Sequence, residues 1–259
     1  MNGPTVYLQY GMEKDSGTTK FYKLGQRAML PDGRVFRYAL ANGAIGAGQL
    51  CQMKATLVDF DMDLVCQATV AGANSISVVT ASTHPAMGTE EFEDGYIHIN
   101  DGAGEGHIYR IRSHTSVAAD SSTVMAFSLE LDDEVDEALV NATSLAGLVE
   151  NLYKDVVLVD FDTAQTMPLG AAPSEISDNE YFWLQTFGLA SVRIEGGTAV
   201  PVVARSVVAA VSTSDGLSGS VEAATTAHVP DNDQPQIGIA VGIASVDGDY
   251  GLIFLTLAP

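Results

Sequence analysis

Short runs in which apolar and polar residues alternate, each closed by a cluster of glycine, proline, aspartate or asparagine, recur along almost the whole of this chain. A period of two sends every second side chain to the same face of an extended backbone, so the pattern specifies sheet rather than helix. The clearest run is 57–64, where Val58, Phe60, Met62 and Leu64 alternate with Leu57, Asp59, Asp61 and Asp63. It predicts a strand with its aspartates in water. Residues 123–131 repeat the pattern, with Met125, Phe127, Leu129 and Leu131 on one face. Further strands are expected at 5–9, 35–40, 75–80, 95–100, 107–112, 155–161, 181–187, 190–194, 199–203, 206–212, 236–245 and 250–257. Turn chemistry divides them. Pro31-Asp32-Gly33-Arg34 combines a fixed φ with a residue that accepts a positive one, and Asn42-Gly43 is a hairpin pair.

The expected fold is therefore all-β: two sandwich- or barrel-like modules, an extended N-terminal arm and one short helix. The arm covers residues 1–30, which show no sustained period. The first module covers 31–131 and the second 151–259. Residues 132–150 are read as a helical connector, because DDEVDEALVN at 132–141 has an acidic start and places Val135 and Leu139 at i, i+4. Leu57-Val58-Asp59-Phe60-Asp61 recurs as Leu158-Val159-Asp160-Phe161-Asp162. That echo is either a duplicated module or a chance match in a strand-rich chain.

Composition narrows the function. Twelve basic residues stand against 33 acidic ones, a net charge of -21, which argues against a nucleic-acid surface, since phosphates need clustered Lys and Arg. With 46% hydrophobic residues the chain has enough apolar material for a core. The balance is uneven: residues 1–54 hold seven basic and three acidic residues, and the remainder five and 30. A mildly basic segment thus precedes a strongly acidic body, an arrangement suited to docking on an acidic neighbour. Neither a secretory signal nor a membrane-spanning helix is expected, because the N-terminus lacks a basic and then apolar region and the most apolar late run, 235–246, is short and broken by glycine. Cys51 and Cys66 read as buried thiols of a protein assembled in a reducing cytoplasm.

Candidate chemical motifs are weak. Asp59-x-Asp61-x-Asp63 resembles the opening of a calcium loop, but Leu64 replaces its glycine and Val70 its bidentate glutamate. His98, His107 and His114 fall near one hairpin at spacings that match no zinc motif. Gly102-x-Gly104-x-Gly106 precedes a strand rather than a helix, so it reads as a hairpin loop and not a phosphate cradle. No nucleophile elbow or Walker sequence occurs, and a single tryptophan, Trp183, gives little support for a sugar-stacking cleft. No catalytic residue, cofactor or metal site is assigned, and the chain is not expected to be an enzyme.

Several segments together carry a resemblance. They are Leu30-Pro31-Asp32-Gly33-Arg34-Val35-Phe36-Arg37-Tyr38, Asp94-Gly95-Tyr96-Ile97-His98-Ile99-Asn100-Asp101-Gly102, Gly104-Glu105-Gly106-His107-Ile108-Tyr109-Arg110-Ile111, Asn151-Leu152-Tyr153-Lys154-Asp155-Val156-Val157, Tyr181-Phe182-Trp183-Leu184-Gln185-Thr186-Phe187-Gly188 and Asp249-Tyr250-Gly251-Leu252-Ile253-Phe254-Leu255. With them the chain resembles virion structural proteins of tailed bacteriophages, most of all capsid decoration, or cement, proteins. The resemblance implies an all-β homotrimer, assembled in the host cytoplasm, that sits on the capsid exterior and bridges neighbouring copies of the major capsid protein. It implies no cofactor and no contact with nucleic acid or membrane. In this reading Lys20, Phe21, Tyr22, Lys23 and Arg27 are the capsid or subunit contacts of the arm. The same residues would equally serve to cover the protein's own core edge. A tail or fibre component that binds host receptors, and a carbohydrate-active enzyme, are the alternatives.

Overall fold

The structure, a computed structural model, describes residues 5–56, 59–89, 91–120, 122–159, 166–195, 201–209, 218–224, 235–242 and 248–259. It is all-β, and the one helical element among the described residues is the 3-10 turn Met12–Lys14. In chain order the strands are β1 (Val6–Tyr7), β2 (Ser16–Gly17), β3 (Arg27–Met29), β4 (Val35–Leu40), β5 (Leu50–Gln52), β6 (Leu64–Cys66), β7 (Ser75–Val79), β8 (Tyr96–Asp101), β9 (Ile108–His114), β10 (Ala126–Leu131), β11 (Leu145–Val149), β12 (Val157–Leu158), β13 (Pro168–Ala171), β14 (Tyr181–Arg193), β15 (Ser206–Ala209), β16 (Val221–Ala223), β17 (Gln236–Gly242) and β18 (Tyr250–Thr256). They fall into two compact units: Met1–Ala55 with Leu152–Pro259, and Thr56–Asn151.

The unit Thr56–Asn151 is a closed antiparallel barrel in the order β10-β7-β6-β11-β8-β9. Closure leaves no strand edge to pair with another chain. Alternation fills its interior: Ile76 and Val78 of β7 and Phe127, Leu129 and Leu131 of β10 point inward, while Ser77 and Ser128 meet outside with hydroxyls 2.8 Å apart. Phe60 centres the core, with ring centroids 5.8 Å from Phe92 and 6.1 Å from Phe127. The expected glycine hairpin joins β8 to β9. Gly102 and Gly104 both have positive φ there, and a Cβ on either would strike Thr143 or Leu139.

The other unit is a twelve-stranded sheet whose main path runs β1-β3-β4-β14-β18-β17-β15-β16, with β2, β5, β12 and β13 attached beside it. Its spine is β14, which pairs with β4 along one side and β18 along the other. The predicted strands 181–187 and 190–194 are one continuous strand, carried through Gly188 at φ +91°.

Four expectations are corrected. First, the run 57–64 is not a strand where it is described. Asp59 and Asp63 adopt positive φ, a conformation that aspartate tolerates better than most residues, so the chain turns at Phe60 and extends only from Leu64; Leu57 and Val58 lie outside the described residues. Second, residues 132–141 form no helix. Val135 and Leu139 are buried in the barrel core and donate their backbone N–H groups to Ala73 and Thr69. An offset of four is even, so it keeps two side chains on one face of an extended chain as well as of a helix.

Third, the unit boundaries are not those at 31–131 and 151–259. Residues 31–55 supply β4 and β5, which pair with β14, β12 and β13, so the barrel is inserted within the sheet unit. The two units also differ in topology, which removes the duplication reading; Asp160, Phe161 and Asp162 lie outside the described residues. Fourth, residues 5–30 are no free arm. β1 pairs with β3, β2 pairs with β14, and Leu8, Leu24, Ala28 and Leu30 are buried. No strand is described at 201–203, and 199–200, 210–212 and 243–245 lie outside the described residues.

Candidate functional site

Two surfaces of the sheet unit stand out, and the N-terminal residues singled out from sequence belong to the first. Tyr22 packs inward, its ring 5.2 Å from Tyr38 and 5.1 Å from Trp183. Arg27 donates from Nη1 to Thr5 Oγ1 at 3.1 Å, within the same segment. Phe21 does the opposite: its side chain is 74% exposed while its backbone N–H donates to Tyr38 Oη at 3.2 Å. Lys23 is exposed and Lys20 half-buried. Of the five residues, then, Tyr22 and Arg27 hold the unit together, and Phe21 and Lys23 present themselves to solvent.

The aromatic residues converge because of sheet register. Trp183 on β14 is directly opposite Tyr38 on β4, and Tyr181 lies two residues away on the same face. Tyr38 and Tyr181 stack at 5.7 Å with their planes 8° apart, and Trp183 sits 4.9 Å from Tyr38. Together with Phe21 and Tyr22 they wall a groove of about 370 Å³ whose rim carries Asp15, Ser16 and Thr19. Burial pushes the Tyr38 phenol above its ordinary pKa; the Phe21 N–H bond and the Lys20 charge oppose the shift, and the proton stays on to donate toward the Thr19 carbonyl at 3.4 Å.

The second surface is the outer face of β14, β18 and β17. Inward, Ala190, Val192, Ile253, Leu255, Ile237 and Ala240 form the core. Outward, Leu189, Phe254 and Ile239 lie in one cross-strand row, with Leu252, Val241 and Tyr250 beside it. Leu189, Ile239, Val241, Leu252 and Tyr250 are each between 40% and 51% exposed. Antiparallel sheets with one solvated face ordinarily turn polar residues outward, so an apolar outer face marks a surface meant to be covered. Its outward positions include Arg193 and no carboxylate. Beside it a hollow of about 460 Å³ is walled by Phe187, Leu189 and Phe254, with Arg34 at the edge. Arg34 is fixed by Asp32 at 2.8 Å and lies 4.0 Å from the buried Glu13 carboxylate. Slight burial raises the Asp32 carboxyl, but the Arg34 hydrogen bonds and charge outweigh it and hold it below its usual value.

Sequence reasoning passed over this face, although a signal was present. Tyr250-Gly251-Leu252-Ile253-Phe254-Leu255 is apolar on both parities, the mark of a strand covered on both sides. It also undervalued the aromatics, which are scattered in sequence and meet only through the β4–β14 pairing.

The motifs considered for metals are placed elsewhere. Asp63 accepts from Asn100 Nδ2 at 2.7 Å on the turn before β6. His107 Nδ1 is 3.2 Å from Tyr109 Oη, and His114 is buried with Nε2 accepting the Phe92 N–H at 2.9 Å. Among the described residues no three His, Cys, Asp or Glu side chains are grouped to hold a metal ion. Cys51 and Cys66 are buried free thiols, one in each unit. No protein-family model matches the chain, no curated protein matches it in sequence, and no solved structure matches it in fold.

Proposed function

We propose that this chain is a virion structural protein that binds the outer surface of a capsid and stabilises contacts between major capsid subunits, using the β14–β18–β17 face. One observation carries the reading: a chain of net charge -21 places no carboxylate at the outward positions of β14, β18 and β17 and puts leucine, isoleucine, valine, phenylalanine and tyrosine at most of them, with Asp32 and Glu13 only at the margin beside Arg34. Such a face gains from being covered, at about 25 cal/mol for each Å² of apolar surface removed from water. Its arginine suits an acidic neighbour. The sequence resemblance to cement proteins supplies the partner class, the capsid exterior and the homotrimer. Phe21 adds an exposed contact at the aromatic groove, and Lys23 an exposed charge two residues further along the chain.

Deleting residues 1–30 would remove β1, β2, β3 and buried Leu8, and so would test folding rather than docking. The test is therefore a Leu189→Asp, Leu252→Asp double variant in co-sedimentation with capsids assembled without this protein, alongside the copy number of the natural protein per particle. The variant should lose binding at least tenfold while melting as the natural protein does, and copy number should be comparable to that of the major capsid protein. Undiminished binding by the variant would remove the face from the proposal, and a few copies per particle would favour a tail or fibre component.

A further inference from the structure

The geometry points to a binding site for a small oxyanion at Arg27 and Arg37, an inference independent of the capsid reading. The two arginines are directly opposite each other on β3 and β4. The Leu30 N–H donates to the Arg34 carbonyl and the Tyr38 N–H to the Gln26 carbonyl, which puts the hydrogen-bonded pairs of this ladder at 30/34 and 26/38. The 27/37 pair therefore takes the alternate position, where Cα atoms are about 4.5 Å apart and side chains lie closest. Like charges set there repel. Their neighbours on the same face do not offset them, being Met29, Val35 and Ala39, with Leu184 opposite Arg37 on β14. Each guanidinium donates instead to a neutral oxygen, Arg27 Nη1 to Thr5 Oγ1 at 3.1 Å and Arg37 Nη1 to the Gly25 carbonyl at 3.2 Å. Among the described residues neither is ion-paired, and Arg37 Nε is buried with no acceptor. In a chain with 33 carboxylates and 12 cations, two half-buried guanidiniums that face each other without a counter-ion leave that charge for a ligand to supply.

The ligand class follows from the donors. A guanidinium presents a planar fork that matches the paired oxygens of a carboxylate, phosphate or sulfate. A cation would add to the repulsion, and a neutral molecule would leave it in place. The net charge of -21 opposes the approach of a polyanion, so the ligand is a small oxyanion rather than a nucleic acid.

The experiment titrates the full protein with sodium phosphate, sodium sulfate and sodium acetate, ionic strength being held constant with sodium chloride, and follows the heat of binding and the melting temperature. At least one of the three should bind with an apparent Kd on the order of 1 mM and, at about 20 mM, raise the melting temperature by about 2–4 °C. A response to phosphate or sulfate assigns the site to a free inorganic anion, and a response to acetate alone assigns it to a carboxylate. Arg27→Gln should weaken the binding about tenfold without lowering the unliganded melting temperature, because it relieves the repulsion. Arg37→Lys keeps the charge and loses the fork, and should weaken the binding about threefold or more. No binding of any of the three anions up to about 20 mM, or binding as tight in either variant as in the natural protein, would overturn the proposal.

Discussion

The barrel and the sheet unit divide the chain's charge and its apolar surface in opposite ways. Residues 56–151 carry 17 carboxylates against two arginines, Arg110 and Arg112, for a net of -15; the sheet unit carries 16 against ten cations, for -6. The barrel closes on itself around its apolar core, and its acidic coat surrounds a smaller set of exposed apolar side chains that includes Met62, Ile108 and Val124. The sheet unit has an apolar outer face on β14, β18 and β17, and it carries the smaller excess of negative charge. Repulsion is thus heavier on the closed barrel and lighter on the unit that carries the apolar sheet face. In the proposed function this contrast becomes one of orientation, the sheet unit meeting the capsid and the barrel left in solvent.

The largest test of the contrast is to empty the barrel core. Phe60→Ala should destabilise the barrel by about 3–5 kcal/mol in urea unfolding, because a fully buried ring between Phe92 and Phe127 leaves a cavity. Leu189→Asp, on the exposed face of the other unit, should leave stability within about 0.5 kcal/mol. Equal losses would mean that the face is core and not surface.

High pH should separate the units in the other direction. Burial raises the Cys51 thiol far above its ordinary value and the Cys66 thiol to about 11, and it raises the Tyr38 and Tyr153 phenols. The folded chain holds protons that the unfolded chain releases, so stability is full below about pH 8.5 and falls as pH rises from there toward 11. Three of the four groups belong to the sheet unit. Thermal scans between pH 8 and 11 should therefore show that unit melting earlier, with the barrel lagging; a single transition moving as one would contradict this. A substitution at the hairpin of the barrel is intermediate: Gly102→Ala forces a Cβ against the Thr143 backbone at positive φ and should cost about 1–3 kcal/mol by the same urea measurement. The smallest effect belongs to Arg112–Glu130, a pair 3.5 Å apart with both side chains about half exposed. Arg112→Ala should change barrel stability by less than about 1 kcal/mol, less still in high salt.

How much was legible follows from which interactions are local. The strands 75–79 and 126–131 were readable because each declares its burial by its own alternation, and 35–40 and 250–256 because each is a short apolar run bounded by turn residues. The two misread segments satisfy more than one rule: Asp59 and Asp63 fit a strand's parity yet favour positive φ, and the Val135–Leu139 spacing fits helix and strand alike. The unit boundary was hidden because β5 finds its partners β12 and β13 only beyond the barrel. For the same reason Phe21 and Tyr22 could be singled out as aromatic neighbours, while the groove they share with Tyr38, Tyr181 and Trp183 depends on a pairing no local pattern announces.

The insertion also sets an order of events during synthesis. Every strand of the barrel pairs with another inside the contiguous stretch Thr56–Asn151, so the barrel can close as soon as that stretch is made. β4 has by then been synthesised without β14, and β5 without β12, and of two residues fully buried in the finished molecule Leu50 must wait about 100 residues, and Phe36 about 150, for those strands. The interval in which those half-built strands stand open is the protein's exposure to misassembly, and it ends only when the C-terminal strands arrive to close the sheet.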